Sequence, residues 1–306
     1  MMAASSCFSL ASFYEGYLRY AFTSSGLSSK TLEIADSETT IHFWSPNQPT
    51  TKPPLILLQG FGANPLWQWR YQVQSLSSQF SLYVPDLIFF GKSTTKSSER
   101  SEVFQAVSIG KLLEKLGVER YSVMGTSYGG FVAYQMGRMW PERVEKIVIA
   151  SSAVNMRRKD NGELLEKVKL ERIEDLLLPS TATQLRTLIG LCMFKRPFYL
   201  PDFLLNDLLQ RLFSENREEK VQLLGGLTLG QDDNVHISPL QQEVLIVWGK
   251  HDQIFPLERA YELKELVGDH KKVRMEVMEK TSHTPQIENP KLFNRIVRQF
   301  LLIDGS

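Results

Sequence analysis

The segment Tyr121-Ser122-Val123-Met124-Gly125-Thr126-Ser127-Tyr128-Gly129-Gly130 constrains this chain more than any other. A short apolar run ends in a serine held between glycines, and a helical pattern over 131–139 follows at once. A G-x-S-x-G string of this kind belongs on a tight strand-to-helix turn, where bulky neighbours would clash and Gly125 and Gly129 do not. There the hydroxyl of Ser127 projects from a strained backbone. The first N–H groups of the following helix face any negative charge that develops beside it.

The same alternation recurs along the chain. Residues 55–58 form a continuous apolar run, as in a strand buried on both faces of a parallel sheet. A helical pattern over 67–78, a strand over 81–84, a helix over 99–116 and a strand over 144–150 follow. A strand at 244–248, a helix at 257–267, a strand at 273–278 and a helix at 290–302 complete it. Ahead of these, 31–34 and 40–44 read as a hairpin around the polar turn 35–38. The interval 155–240 breaks the rhythm. It is rich in Leu and charged helix formers, lacks a strand run, and is punctuated by Pro179, Pro197 and Pro201. It reads as several helices inserted between two strands. The expected class is α/β: a mostly parallel sheet flanked by helices, with a helical lid inserted between two strands. The expected division is an N-terminal helical extension at 1–30, a core at 31–154 and 241–306, and a lid at 155–240.

The 306 residues suit one core domain with an insertion, and 42 % hydrophobic residues are enough for a core without covalent staples. A formal net charge of +1 gives no field that draws the chain to nucleic acid. The two cysteines, Cys7 and Cys192, have no partner at metal-ligand spacing, which points to a reducing, cytoplasmic setting. No apolar run is long enough to span a bilayer. Near the start, Leu10, Phe13, Tyr14, Tyr17, Leu18, Ala21 and Phe22 recur at helical spacing. That helix is expected to pack on the domain. Peripheral contact of residues 8–22 with an intracellular membrane is the alternative, which the lack of Lys and Arg on the polar face disfavours. The last residues, Ile303-Asp304-Gly305-Ser306, carry no retention or peroxisomal signal.

A serine needs a base. Of the five histidines, His42 lies in a strand ahead of the serine, His236 in the insertion, and His270 among Asp269, Lys271 and Lys272. His283 follows the last strand, where ligands meet open α/β sheets, and is the expected base. Asp252, after Val247-Trp248-Gly249-Lys250-His251, is the expected acid, and His251 is a loop neighbour. Asp252 is preferred to Asp86, because the order in this fold is serine, acid, histidine. Asp232 and Asp233 belong to the insertion. The expected oxyanion donors are the N–H groups of Tyr128 and of Phe61, in the loop Gln59-Gly60-Phe61-Gly62.

On these residues the sequence resembles the α/β-hydrolase superfamily from about residue 32 to 302. The resemblance rests on Gln59-Gly60-Phe61-Gly62, Asp86 with Phe90-Gly91-Lys92-Ser93, the turn around Ser127, Trp248-Gly249-Lys250-His251-Asp252 and Ser282-His283. Trp67-Gln68-Trp69, Val84-Pro85-Asp86-Leu87 and the run 127–134 make it similar to plant hydrolases described as monoacylglycerol-lipase-like or semialdehyde-hydrolase-like. The resemblance implies a plant source and a cofactor-free hydrolase with a helical lid. Two positions depart from the family pattern: Gln59 and Thr126 stand where histidine is usual. A serine nucleophile argues against epoxide hydrolase and haloalkane dehalogenase chemistry, which need a carboxylate.

The expected reaction is hydrolysis of a carboxylic ester through an acyl-enzyme. His283 takes the Ser127 proton and later activates water. The substrate is expected to be a small ester with a hydrophobic or aromatic acyl or alcohol part. The insertion offers Phe194, Phe198, Tyr199, Leu200, Phe203, Leu204 and Phe213, and Gly60 and Trp67 add to the wall. Phe194, Phe198 and Tyr199 are the substrate contacts expected there. Three other readings share these residues: a C–C bond hydrolase, a hydroxynitrile lyase, and a non-catalytic receptor or scaffold.

Overall fold

Apolar runs and helical patterns assemble around one nine-stranded sheet in a computed structural model that describes residues 9–34, 38–195 and 200–303. Helix α1 (Leu10–Ser24) leads into the antiparallel pair β1 (Leu27–Ile34) and β2 (Thr39–Pro46). Then come β3 (Pro54–Leu58), α2 (Pro65–Leu76), β4 (Ser81–Pro85), the short β5 (Thr94–Thr95) and α3 (Glu102–Lys115). They are followed by β6 (Tyr121–Thr126), α4 (Tyr128–Met139) and β7 (Val144–Ala150). Between β7 and β8 the described residues form α5 (Arg158–Val168), α6 (Ile173–Leu177), α7 (Ala182–Cys192), α8 (Asp202–Leu212) and α9 (Arg217–Gly225). The chain ends with β8 (Glu243–Gly249), α10 (Leu257–Leu266), β9 (Val273–Met278), α11 (Pro285–Glu288) and α12 (Pro290–Leu302).

The strand order is β1-β2-β4-β3-β6-β7-β8-β9, with β5 paired to β2. From β4 to β9 every pair is parallel. The hairpin closes one side antiparallel, through Phe43 opposite Pro85 and Trp44 opposite Val84. Alternate residues of the central strands serve opposite layers. In β3, Ile56 and Leu58 join Ile109 of α3, Val132 of α4 and Leu263 of α10, while Leu55 and Leu57 join Leu18 of α1, Val73 of α2 and Val297 of α12. Both faces are therefore covered, which is why these strands read as unbroken apolar runs.

Several boundaries differ from the sequence expectation for local reasons. Helix α2 starts at Pro65 because Asn64 caps it, its side-chain oxygen accepting the Trp67 N–H at 3.4 Å. Helix α4 starts directly after Ser127. The hairpin strands run longer than expected, and residues 35–37 of the expected turn lie outside the described residues, as does Cys7.

Helix α1 packs on the body of the protein. Leu18 and Phe22 are buried, and Phe22 meets Trp44 edge-on at 5.3 Å. Asp207 of α8 accepts from Ser9 Oγ at 2.6 Å and from the Ala11 N–H at 2.8 Å. Buried Glu15 pairs with Arg19 at 2.7 Å and Arg211 at 2.6 Å. Burial acts to raise the Glu15 carboxyl, and the bonds to Arg211 and Arg19 overcome it, leaving it below the usual carboxylate range. Leu10, Phe13, Tyr17 and Tyr20 face outward. Among the described residues no helix is long and apolar enough to cross a membrane.

The contact that fixes the turn between β6 and α4 is a close one. A Cβ added at Gly125 would lie 2.0 Å from the Gly129 carbonyl oxygen. Gly125→Ala is expected to destabilise the protein by about 3 kcal/mol or more, because backbone rather than a side chain must move. Thermal unfolding is the check. A fall of about 5–10 °C is expected, and an unchanged midpoint would show that the turn tolerates opening.

Candidate active site

Ser127 is the single residue between β6 and α4, with φ 51° and ψ −123°. A non-glycine residue with positive φ persists only when its surroundings over-determine it. They do so here. The Ser127 N–H donates to Ala150 O at 3.0 Å, and its carbonyl accepts from the Gly130 N–H at 2.8 Å and from Ser152 Oγ at 2.6 Å. The Ser127 side chain is thereby left free to point away from the sheet.

His283 lies in the loop between β9 and α11. Its Nε2 is 3.0 Å from Ser127 Oγ, and its Nδ1 is 2.9 Å from Asp252 Oδ2 and 3.1 Å from Oδ1. Asp252 follows β8 and is buried. Its Oδ1 also accepts from the N–H groups of Ile254 and Phe255, each at 2.9 Å. These bonds hold the carboxylate still. The residues beside His283 reach into the insertion. Ser282 Oγ donates to Leu191 O at 2.8 Å, and Thr284 Oγ1 to Cys192 O at 3.2 Å. Glu288 accepts from the Ser282 N–H at 2.6 Å and from the Phe194 N–H at 2.7 Å. Burial raises the Glu288 carboxyl, against the lowering effect of those N–H donors. The Cys192 thiol, in the cavity wall, is also pushed up by burial.

The structure brings together Ser127, His283 and Asp252, and places the competing groups elsewhere. Asp86 follows β4, and its carboxylate bonds His42 Nδ1 at 2.8 Å and the Lys92 N–H at 2.9 Å. His42 Nε2 in turn meets Ser29 Oγ at 2.7 Å. In this second serine, histidine and aspartate set Ser29 and His42 sit on the hairpin strands and Asp86 just after β4, and none of the three is in the cavity wall. His236 is exposed and pairs with Asp232, and His270 is exposed beside Glu265. His251 packs against Phe194, with ring centroids 4.5 Å apart. Among the described residues no group of three or more His, Cys, Asp or Glu is placed to hold a metal ion.

Opposite Ser127 runs the loop after β3. Gly60 comes close: a Cβ there would be 3.0 Å from Ser127 Cβ. Phe61 packs edge-on against Tyr128, with ring centroids 5.6 Å apart. Tyr128 is the first residue of α4, where N–H groups have no intrahelical acceptor. Burial pushes its phenol up, so the ring acts as an apolar wall. Gln68 of α2 grips the loop. Its Oε1 accepts from the Gly60 N–H at 2.8 Å, and its Nε2 donates to Gly60 O at 3.1 Å and Ala63 O at 2.9 Å. Gln59 is fully buried, and neither atom of its amide has a partner among the described residues.

Above Ser127 lies a cavity of about 400 Å³, within the range of small-molecule sites. Gly60, Phe61, Trp67, Ser127, Tyr128 and His283 line its floor and one wall. Leucines of α5 to α9, with Ile173, Ile189 and Phe213, line the rest. The expected contact Phe194 is not part of this wall. It follows the end of α7, where its N–H is held by Glu288 and its ring turns to His251. Phe203 faces solvent instead. Phe198 and Tyr199 lie outside the described residues. Sequence reasoning missed Gln68, Ser152 and Glu288, whose roles depend on contacts across the fold.

Comparison with known proteins agrees with this fold. A family model described as the α/β hydrolase fold matches residues 53–290. The monoacylglycerol lipase abhd6-B of Xenopus laevis is 25 % identical over 263 residues, covering 83 % of this chain and 77 % of the relative. The pimeloyl-[acyl-carrier protein] methyl ester esterase of Vibrio campbellii is 25 % identical over 250 residues, covering 81 % and 94 %. Among solved structures, a bacterial membrane phospholipase A superposes with a TM-score of 0.79 at 22 % identity, over 95 % of this chain and 90 % of that one.

Proposed function

The chain belongs to the α/β-hydrolase fold family, and on that premise we propose that it is a serine hydrolase cleaving a carboxylic ester with a hydrophobic acyl or alcohol part. The observation that carries this reading is the chain of contacts from Ser127 Oγ to His283 Nε2 at 3.0 Å and from His283 Nδ1 to Asp252 at 2.9 Å, at the floor of an apolar cavity. Relatives named as a monoacylglycerol lipase and a methyl ester esterase support the ester class.

In this reading His283 removes the Ser127 proton as Oγ attacks the ester carbonyl. The Phe61 and Tyr128 N–H groups receive the oxyanion. His283 then protonates the departing alcohol. A water that gives its proton to His283 releases the acid from Ser127. The carbonyl is held next to Gly60, and the apolar part of the substrate lies against Trp67, Phe213 and the leucines above.

A series of p-nitrophenyl esters tests this directly. Each added methylene buried in the cavity is worth about 0.8 kcal/mol, so kcat/KM is expected to rise about fourfold per methylene until the cavity is full. A fluorophosphonate probe is expected to label Ser127. Turnover of a vinylogous diketone in place of the esters would move the chain to C–C bond hydrolysis. Neither labelling nor turnover would make it a binder.

A further inference from the structure

We propose that Gln68 is the positioning residue of the oxyanion loop and aims the Phe61 N–H at the reacting carbonyl; the inference rests on the ester-hydrolase reading above. The peptide unit between Gly60 and Phe61 is planar and trans, so its C=O and its N–H point in opposite directions. Whatever holds the Gly60 carbonyl therefore sets the direction of the Phe61 N–H. Gln68 Nε2 holds that carbonyl at 3.1 Å. Its Oε1 takes the N–H of the preceding peptide at 2.8 Å, fixing the peptide plane on the other side of Gly60. A third bond, from Nε2 to Ala63 O at 2.9 Å, ties down the far end of the loop. One amide thus uses both of its Nε2 hydrogens and its oxygen on Gly60 and Ala63, the two ends of a four-residue stretch of chain.

The anchor itself is rigid. Gln68 is buried one turn into α2, behind the Asn64 cap and Pro65. Its neighbours are fixed as well: Trp69 is fully buried, and Trp67 packs edge-on against Tyr14 of α1 at 4.9 Å. A site group held on a packed helix is positioned better than one left to a loop. The side-chain amide of Gln59 makes no hydrogen bond among the described residues. The loop is gripped from α2 instead.

Gln68→Leu and Gln68→Glu test the assignment, with rates given per active site titrated by a fluorophosphonate. That normalisation matters, because a merely structural defect lowers the fraction of active protein and leaves the rate per site alone. For Gln68→Leu, kcat per site is expected to fall by about 10²-fold with KM changed by no more than about threefold. In Gln68→Glu the side chain keeps the shape of the amide. As a neutral acid it still offers one donor and one acceptor; as a carboxylate it sets an oxygen against two carbonyls. Burial and those carbonyls both raise the carboxyl, so the variant works best at acidic pH and fails as pH rises. The ratio of its rate to the wild-type rate at each pH is expected to fall by about tenfold between about pH 5.5 and 8.5. A Gln68→Leu rate per site within about twofold of wild type, or a Gln68→Glu ratio flat with pH, overturns the proposal. Wild-type protein that neither labels at Ser127 nor turns over esters overturns the ester-hydrolase reading itself, and the inference with it.

Discussion

Ser127→Ala is expected to lower kcat by about 10⁶-fold and to leave the fold in place. The two halves of that expectation come from different bonds. Among the described residues the hydrogen-bond partner of the Ser127 hydroxyl is His283 Nε2, so deleting the hydroxyl removes the nucleophile and leaves the imidazole partner of Asp252 untouched. The strained turn is held by backbone groups, through Ala150 O, the Gly130 N–H and Ser152 Oγ, all of which alanine keeps. Ester turnover and a thermal melt on the same sample measure both, with the midpoint moving by about 2 °C or less. The variant also isolates the second serine, histidine and aspartate set, Ser29, His42 and Asp86. That set has the side-chain spacing of the first but is outside the cavity wall. Residual turnover above about 1 % of wild type would assign esterolysis to some group other than Ser127.

Asp252→Asn is expected to cost about 10⁴-fold in kcat, with stability little changed. The direction of the amide decides this. Oδ1 of Asp252 accepts from two backbone N–H groups, those of Ile254 and Phe255. An asparagine keeps its oxygen there and turns its NH₂ toward His283 Nδ1. Nδ1 must then accept, which places the imidazole proton on Nε2, facing Ser127. A ring protonated at that nitrogen cannot take the serine proton. The same variant is expected to react slowly with a fluorophosphonate. Activity within about tenfold of wild type would remove Asp252 from its orienting role.

Much of this site is legible in the sequence because its parts are local. The turn at Ser127 announces itself through Gly125 and Gly129, and the parallel strands through apolar runs that the two-sided core demands. Telling Asp252 from Asp86 is harder, since both follow strands. Sheet order separates them: β4 and β8 are divided by β3, β6 and β7, and His283 follows β9 beside β8. Chain order in the fold carried that information indirectly. The insertion is less legible. Phe194 reads as an apolar lid residue, yet the bond from its backbone to Glu288 turns its ring out to His251. Gln68 reads as one more polar residue on an amphipathic helix. Its meaning depends on where the loop after β3 passes, and no periodicity records that.

The residues on either side of His283 are fastened to the carbonyls of Leu191 and Cys192, at the end of α7. The proposed base is therefore seated partly on the roof of the cavity as well as on the sheet. Were α7 displaced far enough to admit a bulky molecule, it would pull on Ser282 and Thr284 and draw the imidazole away from Ser127. On the ester-hydrolase reading, exchange of molecules and proton transfer would then fall in separate intervals of the cycle, with the base competent only while the roof is down.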